Sequence, residues 1–472
     1  MNEANALAVA EAVQTPRSHR TGLVLGVLSL AAFMASLDVF IVNVAFDDIG
    51  RDFHGPGLSQ LSWILNAYTI IYAALLVPAG RLADRYGRKE MFLFGLAIFV
   101  AASAACAASG GIWWLVAFRA IQAIGAAILT PASLGLVVAA APPHLRARSV
   151  RIWAATGALA AALGPALGGV LVEASWRWVF LVNVPVGIVA LIAAAIVVPK
   201  SRDESVRRIP DVLGAALLAI AIGALTLALV EGSNWGWTDG RIAAAWATTV
   251  VALIGFVVQS GRHPSPIIDP ALMRVRAFSF ANITAVLFSI PFAASLLTNI
   301  LWMQQVWGYS AIATGFGVVP GPLMVPVFTI VGHKLAARVP VGVIVGVGCL
   351  MMAGSAVLVS LRVGPQPDYF ADLLPSLLIG GAGIGLALPT ILSSATADLP
   401  PAQTATGSAV VNMSRQIGTA LGVALLVAVL GTPRGFDEAH PAFQHAWWAL
   451  AVVAVLAAVA APAMSPPRKQ QI

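Results

Sequence analysis

Two charged residues lie inside stretches of sequence that are otherwise apolar enough to span a membrane. Asp38 lies in the run 22–46, and Arg119 lies in the run 113–139. A charge near the bilayer interior costs several kcal/mol, so an acidic residue there is by default a proton or ion site, or the partner of a cation. At a rise of about 1.5 Å per residue, Asp38 falls roughly 12 Å and Arg119 roughly 9 Å from the shared ends of their helices. We therefore expect the two side chains to pair, with Asp38 taking up and releasing protons.

The helices that position these charges belong to a chain made mostly of membrane-spanning segments. Of its 472 residues, 59% are hydrophobic and 10% are charged, whereas soluble domains are about 25% charged. Apolar runs of about 20 residues, each long enough to cross a hydrocarbon layer of about 30 Å, recur fourteen times. They are predicted to begin near Gly22, Leu58, Met91, Trp113, Arg151, Val179, Asp211, Arg241, Phe278, Ile312, Val341, Leu373, Ala405 and Phe443. The predicted fold class is an all-α integral membrane protein.

Membrane topology explains the positive charge of the chain better than nucleic-acid binding does. The net charge is +7, but the basic residues recur in short clusters between apolar segments and never form one continuous basic face. Short cytoplasmic loops of membrane proteins hold an excess of Lys and Arg. With a cytoplasmic N-terminus, the basic residues predicted on the far side are only Arg51, Arg177, Arg241, Arg362 and Arg434. We expect a multi-pass plasma (inner) membrane protein with both termini in the cytoplasm, the lipid bilayer as a partner, and no nucleic acid.

A degenerate internal repeat divides the chain into two halves. The segment 81–85 reads Arg-Leu-Ala-Asp-Arg, and the segment 334–338 reads Lys-Leu-Ala-Ala-Arg. Two related helical halves with a substrate cavity between them are a common transporter architecture. We expect an N-terminal six-helix bundle in residues 1–199 and a C-terminal six-helix bundle in residues 277–472. Residues 200–276 would then be an inserted pair, helices 7 and 8, which packs outside the twelve-helix core.

The loop after the second helix combines glycines, an acidic residue and cations in a fixed order. It reads Gly-Arg-Leu-Ala-Asp-Arg-Tyr-Gly-Arg-Lys over residues 80–89. Gly80 allows two helices to approach closely, and Gly87 permits a tight turn. Asp84 is suited to accept hydrogen bonds from a helix N-terminus across the cytoplasmic face. A basic loop that only sets topology would need neither Asp84 nor the two glycines.

This loop resembles the G-x-L-a-D-r-x-G-r-k signature of the major facilitator superfamily at every position. The resemblance implies a helical fold of two six-helix bundles that work by alternating access. It also implies a gate on the inner side, in which contacts of the loop break and re-form. The gating residues would be Gly80, Asp84, Arg85, Gly87 and Arg88.

The fifth helix resembles a second signature of that superfamily, the antiporter motif of its exporters. Residues 164–169 read Gly-Pro-Ala-Leu-Gly-Gly. A small-xxx-small ridge alone is ordinary membrane packing, and a proline in a helix removes one hydrogen bond and kinks it. The full arrangement is more specific and implies export, with a seal against proton leak. The motif residues are Gly157, Gly164, Pro165, Gly168 and Gly169.

Three further segments extend the resemblance over essentially the whole chain, to the fourteen-helix drug:proton antiporters of the superfamily. They are 37–45 in the first helix, 176–187 entering the sixth, and 412–422 in the thirteenth. Phe40 and Phe46 depart from the family pattern, and we expect these two side chains to alter the wall of the cavity. Asn43 and Arg415 are candidate cavity residues.

Two interpretations of Arg415 are open. It lies roughly 15 Å along its helix, near the middle of the bilayer, and we find no acidic residue of the second half at that depth. It either binds backbone carbonyls of a neighbouring helix, or it lines the cavity and attracts an anionic or carbonyl-bearing substrate. Intramembrane arginines commonly serve the structural purpose, so we expect that one.

The residues and the resemblance together predict a proton-coupled exporter of amphipathic small molecules, with no enzyme activity. By resemblance the substrates are drugs, dyes, antiseptics or a metabolite, the coupled ion is the proton, and a Gram-negative source would allow a periplasmic adaptor. No cofactor or metal site is expected, because the 7 histidines are scattered along the chain. A narrow exporter of one antibiotic or metabolite stays an alternative, and so does an uptake symporter of the same fold. A receptor or membrane enzyme would need a sizeable soluble domain or a catalytic constellation, and the sequence shows neither.

Overall fold

The computed structural model describes residues 3–203, 209–400, 403–431 and 436–465, with side chains from residue 21 onward. These residues form 14 helices long and apolar enough to cross a membrane, which confirms the predicted all-α membrane fold. They are α1 (Thr21–Asp52), α2 (Leu58–Tyr86), α3 (Arg88–Ala107), α4 (Ile112–Ala140), α5 (Pro143–Ala174), α6 (Trp178–Val197), α7 (Val212–Trp235), α8 (Gly240–Arg262), α9 (Arg276–Val306), α10 (Ala311–Leu335), α11 (Val341–Arg362), α12 (Tyr369–Ala397), α13 (Thr404–Leu430) and α14 (Phe436–Met464). Part of the topology prediction rests on side chains outside the described residues, namely Arg17, Arg20, Arg207, Arg208, Arg434, Arg468 and Lys469.

Two helices begin earlier than hydropathy predicts. The first turn of α14 contains Asp437 and Glu438, whose negative charges are favourable at the positive end of a helix dipole. The helical start of α5 likewise contains Arg146 and Arg148. Hydropathy detects only the apolar part of a helix, so polar helical extensions outside the hydrocarbon layer escape it.

The two halves repeat the same helix pairings. In the first half α4 packs against α2 and α3, and α1 packs against α5. In the second half α12 packs against α10 and α11, and α9 packs against α13. Small residues allow the closest of these contacts: a Cβ atom added to Gly95 of α3 would lie 2.9 Å from the carbonyl oxygen of Gly125 in α4. The weak sequence repeat therefore corresponds to a repeat of packing.

The inserted helices α7 and α8 have different surroundings. α8 packs mainly against α7. α7 also packs against α2 of the first half and α13 of the second half. There, Val230 is buried in an apolar cluster with Ala424 and Val427, and Trp63 packs against that cluster. The expectation that both helices only flank the core is too simple for α7, which contacts both halves.

The halves meet at one face of the membrane. We call the side at which α1 begins the N-terminal face, and the other side the opposite face. Near the opposite face, Gln304 Nε2 of α9 donates to the Val44 carbonyl of α1 at 3.0 Å, and α5 packs against the start of α10. Toward the N-terminal face, Ala154, Ala155 and Ala158 of α5 are exposed. The conformation is thus closed at the opposite face by these contacts between the halves.

Candidate functional site

Asp38 and Arg119 meet in the interior of the first bundle. Their side chains are 0% and 1% exposed, and Arg119 Nη1 donates a hydrogen bond to Asp38 Oδ2. Asp38 lies on α1 one turn before a 3-10 turn, Val42–Ala45. Arg119 lies in the first half of α4. The depth match calculated from the helical rise therefore corresponds to direct contact.

Three further polar side chains complete this cluster, and sequence reasoning assigned no role to them. Gln122, one turn after Arg119 on α4, accepts from Arg119 Nη1 at 2.6 Å and donates to Asp38 Oδ1 at 2.9 Å. Asn183 of α6 donates to the same Oδ1 at 3.1 Å. Ser103 of α3 accepts from Gln122 Nε2 at 2.6 Å. The Asp38 carboxylate thus receives three donors, and all the groups involved are buried.

Arg119 is held on its other sides by groups that carry no charge. Its Nε donates to the carbonyl of Ile64 in α2 at 3.2 Å. The guanidinium lies 4.2 Å from the ring centroid of Tyr68 and 5.7 Å from that of Phe180, distances at which the ring faces attract a cation. Arg119 would therefore keep partners in the absence of the Asp38 charge, and those partners come from α2 and α6.

The charge balance of the cluster depends on the ionised Asp38 carboxylate, which pairs with Arg119. Neutralising one partner of a buried ion pair leaves the other charge uncompensated, which costs about 3–5 kcal/mol. Two conformations of a protein typically differ by only a few kcal/mol. Loss of the Asp38 charge would thus be large enough to change which arrangement of α1, α4 and α6 is preferred.

Asn43 is buried and bonded to the backbone of its own helix, and its role as a cavity residue stays a prediction. Its side chain is 7% exposed. Its Nδ2 donates to the carbonyls of Val39 at 3.0 Å and Phe40 at 3.1 Å on its own helix. The α-helix changes into a 3-10 turn at this position, which leaves nearby carbonyls available to the amide.

Arg415 of α13 differs from its expected structural role. Its Nη1 donates to Asn412 Oδ1 on its own helix at 3.1 Å, and its Nε is buried without a hydrogen-bond partner among the described residues. No bond from Arg415 to a backbone carbonyl of a neighbouring helix is present in that part of the chain. These contacts favour the second interpretation, in which Arg415 lines the cavity, and that role stays a prediction.

The loop after α2 makes its main contacts within the first half. Asp84 Oδ1 accepts from Arg88 Nε at 2.7 Å, and not from a helix N-terminus across the membrane face as expected. Gly87 has a φ angle of +118°, and this turn brings Arg88, the first residue of α3, beside Asp84. The Arg88 amide donates to the Ser201 carbonyl at 2.8 Å, and the Asp203 amide donates to the Asp84 carbonyl at 3.0 Å. In the described conformation, the loop binds the segment after α6.

The other loop residues contact helix α4 of the first half and the segment after the inserted pair. A Cβ atom on Gly80 would lie 3.2 Å from Pro131 Cβ of α4, so the expected close approach is present. The Arg85 guanidinium lies 5.4 Å from the ring centroid of Tyr86. Arg81 Nη1 donates to Ser265 Oγ at 2.6 Å, in the segment after α8. The gating role of these residues stays a prediction.

Glycines of α5 allow close packing against α1 within the first half. A Cβ atom on Gly164 would lie 2.6 Å from Phe40 Cβ, and one on Gly168 would lie 2.9 Å from the Ile41 carbonyl oxygen. Gly157 has more room, because its nearest neighbour would be Ser36 Oγ at 3.9 Å. Phe40, which departs from the family pattern, is therefore accommodated by a glycine on α5.

The same motif also joins the two halves at the opposite face. Gly169 of α5 lies against the carbonyl oxygen of Ala311 in α10, and Gly315 of α10 lies against the carbonyl oxygen of Pro165 in α5. A Cβ atom at either glycine would overlap the other helix. The two helices can close this face only because both positions are glycine.

Comparison with known proteins identifies relatives along almost the whole chain. The family model described as Major Facilitator Superfamily matches residues 28–423. The Methylenomycin A resistance protein of Bacillus subtilis (strain 168) is 33% identical over 413 residues, which are 87% of this chain and 88% of the relative. The Cephamycin export protein CmcT of Amycolatopsis lactamdurans is 32% identical over 466 residues, which are 96% and 95%. The Multidrug resistance protein Stp of Mycobacterium tuberculosis (strain CDC 1551 / Oshkosh) is 33% identical over 407 residues, which are 85% and 74%.

Solved structures share the fold at low sequence identity. A D-xylose-proton symporter superposes with a TM-score of 0.68 at 15% identity, over 95% of this chain and 98% of that chain. The peptide transporter POT in complex with sulfate superposes with a TM-score of 0.67 at 18% identity, over 94% and 95%. These similarities establish the architecture and not the substrate.

Proposed function

This chain belongs to the major facilitator superfamily, and from that membership we propose that it exports amphipathic small molecules in exchange for protons. Relatives that match most of its length are named for antibiotic resistance, antibiotic export and multidrug resistance. Members of such a family act on small-molecule substrates within the membrane and catalyse no covalent reaction. The two halves, residues 1–199 and 277–472, would move against each other to expose a central cavity alternately to the two faces.

The observation that carries the proton-coupling part of the proposal is the buried carboxylate of Asp38 and its three donors. An ionisable residue inside a membrane bundle is by default a functional group. Deprotonated Asp38 balances the charge of Arg119, whereas protonated Asp38 leaves that charge to Ile64, Tyr68 and Gln122. Substrate binding and proton binding would therefore favour different arrangements of the same cluster, which is the requirement for antiport.

The driving force is sufficient for useful export. One charge that crosses a membrane potential of 100 mV supplies about 2.3 kcal/mol. Because about 1.4 kcal/mol corresponds to a tenfold concentration ratio, one proton per neutral substrate sustains a gradient of roughly 40-fold. A pH gradient in the same direction adds to it.

The proposed orientation places the N-terminal face in the cytoplasm of a plasma (inner) membrane. The described conformation, closed at the opposite face, would then be the one that receives substrate from the cell. The contact of Gly169 with α10 would be the outer seal. In a Gram-negative source, the exported molecule would be passed on by a periplasmic adaptor.

Arg415 supports a second candidate, which is a narrow exporter. A guanidinium without an acidic partner among the described residues favours substrates with an anionic or carbonyl group on the side that faces α13. Names of single antibiotics occur among the relatives, as do names for multidrug resistance. A panel of anionic, neutral and cationic substrates separates the two candidates, since a narrow exporter would transport one class only.

Inverted vesicles with an imposed pH gradient, interior acidic, provide the test of proton-coupled export. Wild-type protein is expected to accumulate substrate, and Asp38→Asn is expected to insert and bind substrate but not to accumulate it. The asparagine keeps the size of the side chain, but it removes the titratable group, its charge and one of the two accepting oxygens. Glu173→Gln is the matched control, because Glu173 is exposed at the end of α5. Accumulation by Asp38→Asn with an unchanged pH dependence would disprove the coupling role.

A further inference from the structure

A cavity at the opposite face lies apart from Asp38 and beside the inserted helix α7. Its volume is about 570 Å³, which is within the range of about 300–1,000 Å³ typical of small-molecule sites. Its walls come from the starts of α2 and α4 and the end of α7. Three of its lining side chains are Trp63, Trp113 and Trp235, and one is the carboxylate of Glu231.

Glu231 is the unusual member of this cavity. It is 9% exposed, and its Oε2 accepts from Asn234 Nδ2 at 3.0 Å. Asn234 Nδ2 also donates to Ser59 Oγ of α2 at 2.9 Å, which fixes the amide between the two helices. No Lys or Arg of the described residues lies within ion-pair distance of Glu231. Glu231 is therefore a largely buried carboxylate. Its hydrogen-bond partner among the described residues is the neutral amide of Asn234.

The nearby cation Arg241 is engaged elsewhere. Its Nε and Nη2 donate to the two carboxylate oxygens of Asp239 at 3.1 and 3.2 Å. Its guanidinium lies 4.2 Å from the ring centroid of Trp235. Arg241 is thus ion-paired with Asp239 and stacked on Trp235, and it makes no ion pair with Glu231.

Interfacial tryptophans by themselves are common anchors of membrane helices, but anchoring does not require a buried carboxylate. A buried charge is costly unless a counter-charge accompanies it, and the faces of indole rings attract cations, most strongly where water is displaced. We propose that this cavity binds an amphipathic monovalent cation, with Glu231 holding the positive charge and Trp63, Trp113 and Trp235 holding its apolar groups.

Two sources of such a cation are compatible with the site. One is a free organic cation, and the other is the ammonium headgroup of a lipid such as phosphatidylethanolamine. Both present a single positive charge next to apolar groups at the membrane surface. In either case the inserted helix α7 would provide the carboxylate of the site. The bound cation would contact both α7 and α2 near the boundary between the two halves.

Equilibrium binding of tetraphenylphosphonium to the full-length protein in nanodiscs tests the proposal directly. In phosphatidylcholine nanodiscs, Glu231→Gln is expected to weaken binding at least tenfold, and Trp113→Leu is expected to weaken it several-fold. Trp113 is 57% exposed, so its replacement leaves the core intact. Glu173→Gln, which removes an exposed carboxylate outside the cavity, should leave binding unchanged. Because binding is measured without transport, the result is independent of the proposed export.

Nanodiscs that contain phosphatidylethanolamine distinguish the two sources. Weaker apparent binding of the probe in these nanodiscs, lost in Glu231→Gln, would identify the lipid headgroup as the resident cation. Unchanged binding would identify a free organic cation. Binding of the probe by Glu231→Gln with wild-type affinity would overturn the proposal. So would tighter binding in Arg434→Gln, because that result would make Arg434 the counter-charge of Glu231.

Discussion

Gly169 of α5 and Ala311 of α10 are in direct contact across the boundary between the two halves, glycine Cα against backbone carbonyl. The contact closes the opposite face of the protein. It can separate only if the whole helix α5 moves with the first half, because Gly164 and Gly168 hold α5 equally closely to α1. We therefore predict that the motif both supports α5 within the first half and forms a separable contact with the second half.

Replacement of Gly169 by valine is expected to prevent this closure. The added side chain would overlap the Ala311 carbonyl, so the opposite face should stay open and export should fall at least tenfold. Spin labels at Glu173→Cys and Gln366→Cys, both exposed positions, would report a longer distance by electron paramagnetic resonance. Gly157→Val is the control on the same helix. An unchanged distance distribution in Gly169→Val would show that the contact is not the seal.

Replacement of Gly164 by alanine is expected to act on stability and not on the conformational equilibrium. The new Cβ atom would lie 2.6 Å from Phe40 Cβ, and overpacking of this kind costs about 1–3 kcal/mol. The melting temperature should fall, whereas the label distance across the opposite face should not change. In a Phe40→Gly background, which lacks the contacting Cβ atom, the loss caused by Gly164→Ala should be mostly rescued. A failure of this rescue would place the strain elsewhere.

Arg119 is expected to tolerate neither lysine nor alanine. Lysine keeps the charge but loses the planar group that contacts Asp38, Gln122 and Ile64 together, so transport should fall more than tenfold with moderate loss of stability. Alanine leaves Asp38 buried and unpaired, which should destabilise the protein by about 3–5 kcal/mol. The double variant Arg119→Ala with Asp38→Asn should be more stable than Arg119→Ala alone. Equal melting temperatures for these two proteins would contradict the pairing.

Asp84 is expected to affect the rate of transport and not the affinity for substrate. Its carboxylate binds Arg88 outside the central space, so Asp84→Asn should lower the maximal rate several-fold and leave equilibrium binding within twofold. The pair itself is half-exposed, and pairs of that kind contribute at most about 1 kcal/mol. A normal rate with strongly weakened binding would place Asp84 in the substrate site.

Arg415 is expected to determine which substrates bind. Arg415→Gln should weaken binding of anionic or carbonyl-bearing substrates about tenfold or more and leave cationic substrates unaffected. Its Nε has no partner to lose among the described residues, so the melting temperature should change little. Arg415→Lys should recover part of the affinity for anions. A general loss of stability without a change in selectivity would restore the structural reading.

The sequence by itself determined the number of helices, the repeat of the halves and the central ion pair. Each follows from a local property of the chain. An apolar run of about 20 residues has the length of the hydrocarbon layer, and a charge inside such a run needs a partner at the same depth. Asp38 and Arg119 could therefore be matched from helical rise alone, because in a membrane the depth of each residue along the bilayer normal follows from its position in its helix.

Only the tertiary structure decided which other side chains meet them. Gln122 and Asn183 complete the Asp38 site, whereas Asn43, on the same helix as Asp38, binds its own backbone. An amide side chain carries no charge, so its position in the sequence does not require a charged partner at the same depth in the membrane. Which residue it contacts depends on how its helix is rotated about its own axis. The same is true of Arg415, whose rotation about α13 turns it away from the neighbouring carbonyls. Which face of the membrane is closed depends in turn on the crossing of α5 and α10, a contact between distant segments that no local pattern contains.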